Sequence, residues 1–338
     1  MPTTMKDIAR DLALSVVTVS KVLRNHPDIS PATRKRVLQR AKELNYQPNL
    51  AARALATGRT DLIGLIVPDL VHPFFAQVAQ GLSTKLSGQG YSLMISSSEE
   101  NPALEKREID QMMARRVDAL ILATVQSDLG SIQRLREDGI PFVLLDRKVP
   151  GFTANFVGID DVMAGKIATT HLIEIGCKTI AHIGGREVST AHDREVGYSM
   201  TMAKHRLSLP MDYILKQGRG DVSGDAVGYD SMKKLLRLTP RPDGVFCFND
   251  PIAIGAMRAI LGADLKIPEE IAIVGCGNLH YDEMLRVPLS SVDQDSEGLG
   301  ASAAKLALTI IKNKKKSGAA PKTVLLPAKL IVRTSTKR

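Results

Sequence analysis

Tryptophan is absent from the 338-residue chain, and aromatic residues make up only 4% of it. Any core must therefore be assembled from Ile, Val, Leu, Ala and Met. Long apolar runs are missing as well: none approaches the roughly 20 residues a bilayer span needs. The opening MPTTMKDIARDLAL has neither an apolar signal core nor a small-residue cleavage site, which points to a cytoplasmic protein. Cysteine is scarce. Cys177, Cys247 and Cys276 are odd in number, far apart and set in apolar runs, the pattern of reduced core thiols rather than of disulfides or a metal site. His72, His171, His182 and His192 show no metal-ligand spacing, and Gly184-Gly185 carries no phosphate-loop or dinucleotide fingerprint. No nucleophile–base pair stands out, so neither an enzyme nor a bound cofactor is expected.

Acidic charge is what the first sixty residues lack. They hold eleven Lys/Arg against four acids, which accounts for +7 of the chain's net +9. A small basic module on a nearly neutral body implies a polyanionic partner for the module. The length exceeds what one core usually serves, so two or three domains are expected.

Within the basic module, apolar residues recur at helical spacing in three short blocks. The first is Met5, Ile8, Ala9 and Leu12, with Thr4 placed as N-cap. The second runs from Ser15, again a cap, through Val19, Val22 and Leu23. The third opens with Ser30-Pro31, a cap followed by proline at the first helical position, and carries Val37, Leu38, Ala41 and Leu44 as its stripe. Two short helices about three residues apart, backed by a third, make a helix-turn-helix. The exposed start of the second helix offers Val16, Val17, Thr18, Ser20 and Lys21 to base edges and phosphates.

The segment MKDIARDLALSVVTVSKVLRNHPDISPATRKRVLQRAKELNYQPNLAARAL closely resembles the headpiece of the lac/galactose repressor family. The resemblance implies that Val16, Val17 and Lys21 read the major groove of operator DNA, and that Ser15, Thr18 and Ser20 fix the helix on the backbone. It also implies a hinge helix from Asn49 to Thr57 that folds on DNA, with Leu55 as a minor-groove wedge and Arg53 and Arg59 meeting phosphates. The chain departs from the family pattern at Ala13, where a glycine is usual in the first turn. Val16 and Val17 are both apolar, so reading there is by methyl contact and Lys21 is left as the polar reader of guanine.

From Asp61 onward, β-branched runs (62–67, 91–96, 117–122, 140–145, 156–159, 179–183, 244–248 and 270–275) alternate with amphipathic stretches at 74–88, 102–115, 161–175, 224–237 and 295–313. This alternation indicates doubly wound parallel α/β sheets, two of them by strand number, with a ligand between them at the strand ends. The expected division is a headpiece at 1–48, a hinge at 49–60 and an effector-binding core at 61–338. By the same resemblance, which extends to periplasmic sugar-binding proteins, the first lobe is 61–159 with 291–320 and the second is 160–290 with 321–338. It places the effector contacts at Phe74, Phe75, Asp146, Arg194, Val222, Asn249 and Asn278. Where relatives carry an aspartate pair after the strand 270–275, this chain reads Gly275-Cys276-Gly277-Asn278, and Val222 replaces a stacking aromatic. A small polar or sugar-like effector clamped by Arg194 is therefore expected.

Asp160 and Asp161 read as an N-cap pair, and the KNKKK run at 312–316 as a solvated loop. A leucine heptad tail is lacking, so a homodimer is expected rather than a tetramer. The expected activity is effector-controlled, sequence-specific DNA binding by a transcriptional regulator, usually a repressor. The alternative is a solute-binding protein of a transport system.

Overall fold

The computed structural model describes residues 3–125, 130–217, 224–313 and 320–338, apart from the side chains of Leu50, Ala51 and Ala56. Contacts divide the chain into two units, Met1–Thr60 and Asp61–Arg338.

The first unit begins with α1 (Met5–Asp11), α2 (Val16–Leu23) and α3 (Pro31–Glu43). Each starts where a side chain takes up an orphan N–H. Thr4 and Asp7 form a reciprocal box in which the Thr4 N–H donates to the Asp7 carboxylate at 2.9 Å. Ser15 accepts from the Thr18 N–H at 3.0 Å, and Ser30 from Thr33 at 3.2 Å with Pro31 following it. The three helices close on Ile8, Ala9, Val19, Val22, Val37 and Ala41. Leu38 departs from the expected stripe and is 48% exposed, because a step of one residue turns a helix by about 100° away from the Val37–Ala41 face. Ala13 takes φ +54° between α1 and α2, a left-handed backbone that a side chain makes costly.

A fourth helix, α4 (Leu50–Thr57), is capped by Asn49, whose Oδ1 accepts from the Ala52 N–H at 3.0 Å. It ends at Gly58 with φ +68°, the usual left-handed C-terminal stop. None of its described side chains is buried, so packing contributes little to holding it.

The second unit contains β1 (Leu62–Val67), α5 (Pro73–Ser87), β2 (Ser92–Ser97), α6 (Pro102–Ala114), β3 (Ala119–Leu122), α7 (Gly130–Glu137), β4 (Phe142–Leu145) and β5 (Phe156–Ile159). It continues with α8 (Asp161–Glu174), β6 (Ile180–Ile183), α9 (Ser189–Lys204), β7 (Ile214–Leu215), α10 (Gly224–Leu235), β8 (Gly244–Cys247), α11 (Asp250–Gly262) and β9 (Ala272–Gly277). Last come β10 (Ser290–Asp293), α12 (Ser296–Asn313), β11 (Thr323–Leu326) and β12 (Lys329–Ile331).

The strands form two six-stranded sheets, β11-β5-β4-β3-β1-β2 and β12-β10-β9-β8-β6-β7. Their pairings are parallel except for β10 with the edge strand β12, which is antiparallel. Each sheet is covered on both faces. Ile63, Leu65 and Val67 of β1 share a core with α5 and α12, while Ile66, one pleat over, joins α6 and α7.

The sheets correct the lobe boundaries expected from sequence. Ser291 to Asp293 belong to the second sheet through β10, and β11 belongs to the first, pairing Thr323 with Phe156. The chain therefore crosses between lobes at Asp160, at Gln294-Asp295 and at Pro327-Ala328. Part of the KNKKK run, residues 314–316, lies outside the described residues.

Candidate nucleic-acid interface and ligand cleft

On the first unit, α2 presents its opening turn to solvent. Ser15, Val16 and Val17 are exposed, with Val17 at 64%, while Thr18, Ser20 and Lys21 are half-buried. Ser15 and Thr18 share a hydroxyl contact of 2.9 Å, and Arg24 donates to the Ser20 hydroxyl at 2.9 Å. The Lys21 ammonium pairs with Asp28 at 2.7 Å. An exposed pair of this kind is worth at most about 1 kcal/mol, so Lys21 can exchange Asp28 for a phosphate or a base. On α4, Arg53 is exposed and Leu55 is 81% exposed. An apolar side chain that solvated on a basic module is chemically suited to wedge between bases.

In the second unit, the strand ends of the two sheets converge on Arg194. The guanidinium is only 3% exposed. Its Nε donates to Asp161 Oδ1 at 2.9 Å, Nη2 to Gln294 Oε1 at 2.9 Å and Nη1 to the Phe248 carbonyl at 2.7 Å. Nη2 also lies 2.9 Å from Asp161 Oδ1, leaving one of the five N–H groups, on Nη1, without an acceptor among the described residues. Two glycines permit this approach: a Cβ on Gly165 would meet the Arg194 carbonyl at 2.2 Å, and one on Gly197 the Val162 carbonyl at 2.1 Å. Asp160, as expected, caps α8, accepting from the Met163 N–H at 2.9 Å. Asp161 does something else. Burial pushes its carboxyl up to about 7 against the pull of Arg194. Because Asp161 follows the first lobe crossing and Gln294 lies in the second, one side chain ties both together.

Asp146, at the end of β4, has φ +62° and is 9% exposed. Burial raises its pKa against the nearby charges of Arg194 and Arg147, and its closest charged partner is Arg147 Nε at 4.0 Å. Arg147 itself is engaged by Glu100 through two hydrogen bonds of 3.1 and 2.8 Å. Asn249 caps α11, its Oδ1 accepting from the Ile252 N–H at 3.0 Å, and its Nδ2 reaches His72 Nε2 at 3.2 Å. Asn278 accepts from Arg333 at 2.7 Å and donates its own N–H to Ser291 Oγ at 2.9 Å. Phe74 and Phe75 are packed in the first core with ring centroids 5.0 Å apart, which accounts for both without a ligand. Val222 lies outside the described residues.

Ser291 and Asp282, which sequence reading missed, pair with Asp250 over long separations. Asp250 accepts from Ser291 Oγ at 2.6 Å and from the Leu279 N–H at 3.2 Å, with the buried Asp282 carboxyl beside it. The β9 glycines make room: a Cβ on Gly275 would stand 2.1 Å from Asp250 Oδ1. Burial and the charge of Asp250 push Asp282 up to about 9, and burial raises Asp250 as well. Among the described residues no group of His, Cys, Asp and Glu side chains is arranged to hold a metal ion, and no helix is long and apolar enough to cross a membrane.

The comparisons follow the same two-unit division. Residues 4–49 match the model of bacterial regulatory proteins of the lacI family, and residues 60–334 that of periplasmic binding proteins and the sugar-binding domain of the LacI family. The chain is 31% identical to the HTH-type transcriptional repressor PurR of Histophilus somni (strain 2336), with 99% of each chain covered. It is 31% identical to catabolite control protein A of Priestia megaterium, with 100% of each covered. Among solved structures it resembles the lac repressor dimer bound to operator and the anti-inducer ONPF, at 25% identity and TM-score 0.87 with 99% of each chain covered. It also resembles a transcriptional regulator CelR–cellobiose complex, at 28% identity and TM-score 0.74 with 98% of this chain and 99% of that one covered. These full-length relatives set aside the transport-protein alternative. The chain belongs to the LacI family of bacterial transcriptional regulators, with a helix-turn-helix DNA-binding unit followed by a two-lobed, periplasmic-binding-protein-like core.

Proposed function

We propose that this regulator acts in the cytoplasm as a homodimer that represses transcription, releasing or gripping its operator as a small, sugar-like effector changes the angle between the core lobes. The reading is supported above all by Arg194, which joins Asp161 and Gln294 across two lobe crossings. A ligand that competes for this guanidinium alters the hinge directly. Asp146 offers acceptors and the remaining Arg194 N–H a donor, a combination suited to hydroxyl groups. Asn249 and Asn278 complete the effector set. Lobe movement follows from differential affinity for two arrangements and needs nothing further.

On DNA, each α2 enters a major-groove half-site, with Val16 and Val17 contacting thymine methyls and Lys21 reading guanine. Ser15, Thr18, Ser20 and Asn49 fix the backbone, Arg53 meets phosphate, and paired Leu55 side chains wedge a central step. The protein works by binding alone, without catalysis. Selection from a random duplex pool tests this reading. A two-fold symmetric motif is expected, with Lys21→Ala relaxing one position per half-site. An asymmetric or featureless pool refutes it, and an unchanged profile in the variant removes Lys21 as a reader.

A further inference from the structure

Two of the hydrogen bonds among the described residues run between the lobes. The Lys148 N–H, after β4, donates to Ser189 Oγ at the start of α9 at 2.9 Å. Asn249 Nδ2, at the start of α11, faces His72 Nε2 at the start of α5 at 3.2 Å. In the second contact the direction is forced. Asn249 Oδ1 already accepts the capping Ile252 N–H, so the amide turned towards His72 can only donate, and the imidazole must supply a lone pair. The other ring nitrogen, Nδ1, faces the Phe74 N–H at 3.3 Å, also a donor. A neutral ring has one lone pair and satisfies one of these contacts at a time; a doubly protonated ring satisfies neither.

We infer that His72 and Asn249 form an interlobe latch that only a neutral imidazole can close, so that lobe closure releases a proton and is opposed by acid. The inference rests on the two-lobe switching reading above and adds a proton to it. The surroundings are consistent with a ring kept neutral. Phe74 and Phe75 meet it edge-on, with centroids 6.4 and 5.9 Å away. The charges that face it are Asp69 from its own loop, Glu100 after β2, Arg147 after β4 and Arg194 on α9. Two acids and two guanidiniums offset one another, and burial dominates, lowering the pKa from 6.5 to about 4.

When the lobes part, His72 loses the cover of the second lobe and the charge of Arg194, and its basicity rises toward the ordinary value. Between the two pKa values the open form binds the additional proton, so acidification favours opening. From pH 7.5 to pH 5.5, the closed-to-open ratio is expected to fall about tenfold, because the open ring passes from mostly neutral to mostly charged while the closed ring stays neutral.

The test is single-molecule energy transfer in the full chain, with dyes on Lys106→Cys and Lys234→Cys. These positions are exposed, one on each lobe, whereas the three native cysteines are buried. Labelled chains are diluted into excess unlabelled chain so that one subunit is observed. The expected result is a tenfold loss of closed-to-open ratio at pH 5.5 in the otherwise native protein, and less than twofold in His72→Asn, whose amide oxygen accepts without titrating. A pH-independent ratio in the native protein overturns the latch, as does an equal shift in His72→Asn. Either result leaves the two-lobe reading intact if neutral sugars still alter the ratio at pH 7.5. The same sugars leaving it unmoved would instead count against that reading.

Discussion

Replacing Arg194 by methionine leaves Asp161, itself only 3% exposed, without its partner. Breaking a buried pair on one side costs about 3–5 kcal/mol, since the remaining charge is stranded away from water. The loss of donors to Gln294 and the Phe248 carbonyl, both formed at under 3 Å, adds about 1 kcal/mol each. Asp161→Asn alone strands the guanidinium and is expected to cost about 3 kcal/mol by the same reasoning. The double variant has no stranded charge, so its cost should fall well short of the sum, with a coupling of at least about 2 kcal/mol. The cost of Arg194→Met should also depend on pH. Burial already holds Asp161 at about 7 with the arginine present; without it the carboxyl protonates more readily, so the variant loses less at pH 6 than at pH 8. Urea unfolding of the full chain followed by far-ultraviolet dichroism measures all four species, and suits a chain without tryptophan. Additive costs within about 0.5 kcal/mol at pH 8 would refute the pairing argument.

Three further outcomes are expected. Asp282, held at about 9 against an ordinary 3.8, stays protonated in the folded chain and ionises in the unfolded one between those limits. Its contribution is therefore present at low pH and lost as pH rises, at up to about 1.4 kcal/mol per unit. Asp282→Asn should flatten the alkaline limb of a stability–pH curve, and an unchanged slope contradicts the raised Asp282 carboxyl. Ala13→Gly relieves the left-handed backbone at φ +54°, and after the extra unfolded-state entropy should stabilise the DNA-binding unit by about 0.5–1 kcal/mol; calorimetry showing a lower melting temperature rules this out. Leu55→Ala removes a side chain that is 81% exposed, so melting should be unchanged while operator affinity, followed by fluorescence anisotropy, falls at least tenfold. Equal affinity removes the wedge.

How much of this was legible in the sequence depends on the distance between interacting residues. Thr4, Ser15 and Ser30 announce the headpiece helices because a cap and its N–H lie three residues apart. Leu38 was misplaced because an apolar residue beside a helical stripe satisfies the same count while facing water. Lobe membership of β10 and β11 is set by which sheet each short strand joins, something no local pattern encodes. The ligand cleft was the least legible part. Arg194 could be singled out, but its partners lie 33 and 100 residues away. The available clue was a glycine inside each of α8 and α9, at Gly165 and Gly197, where helix propensity argues against one. Read as a close crossing, those glycines place Arg194 against the start of α8.

We propose α4 as the connection between operator and core. An eight-residue helix with no buried described side chain is too short to persist alone in water, and on this proposal its stability comes from DNA and from the paired subunit. Amide hydrogen exchange over residues 50–57 measures this directly, in the free full-length protein and with a selected operator duplex. Exchange near the rate of an unfolded peptide without DNA, and strong protection with it, is the predicted result. Equal protection in both states would mean that the helix is permanent and that signalling to the headpiece takes another route.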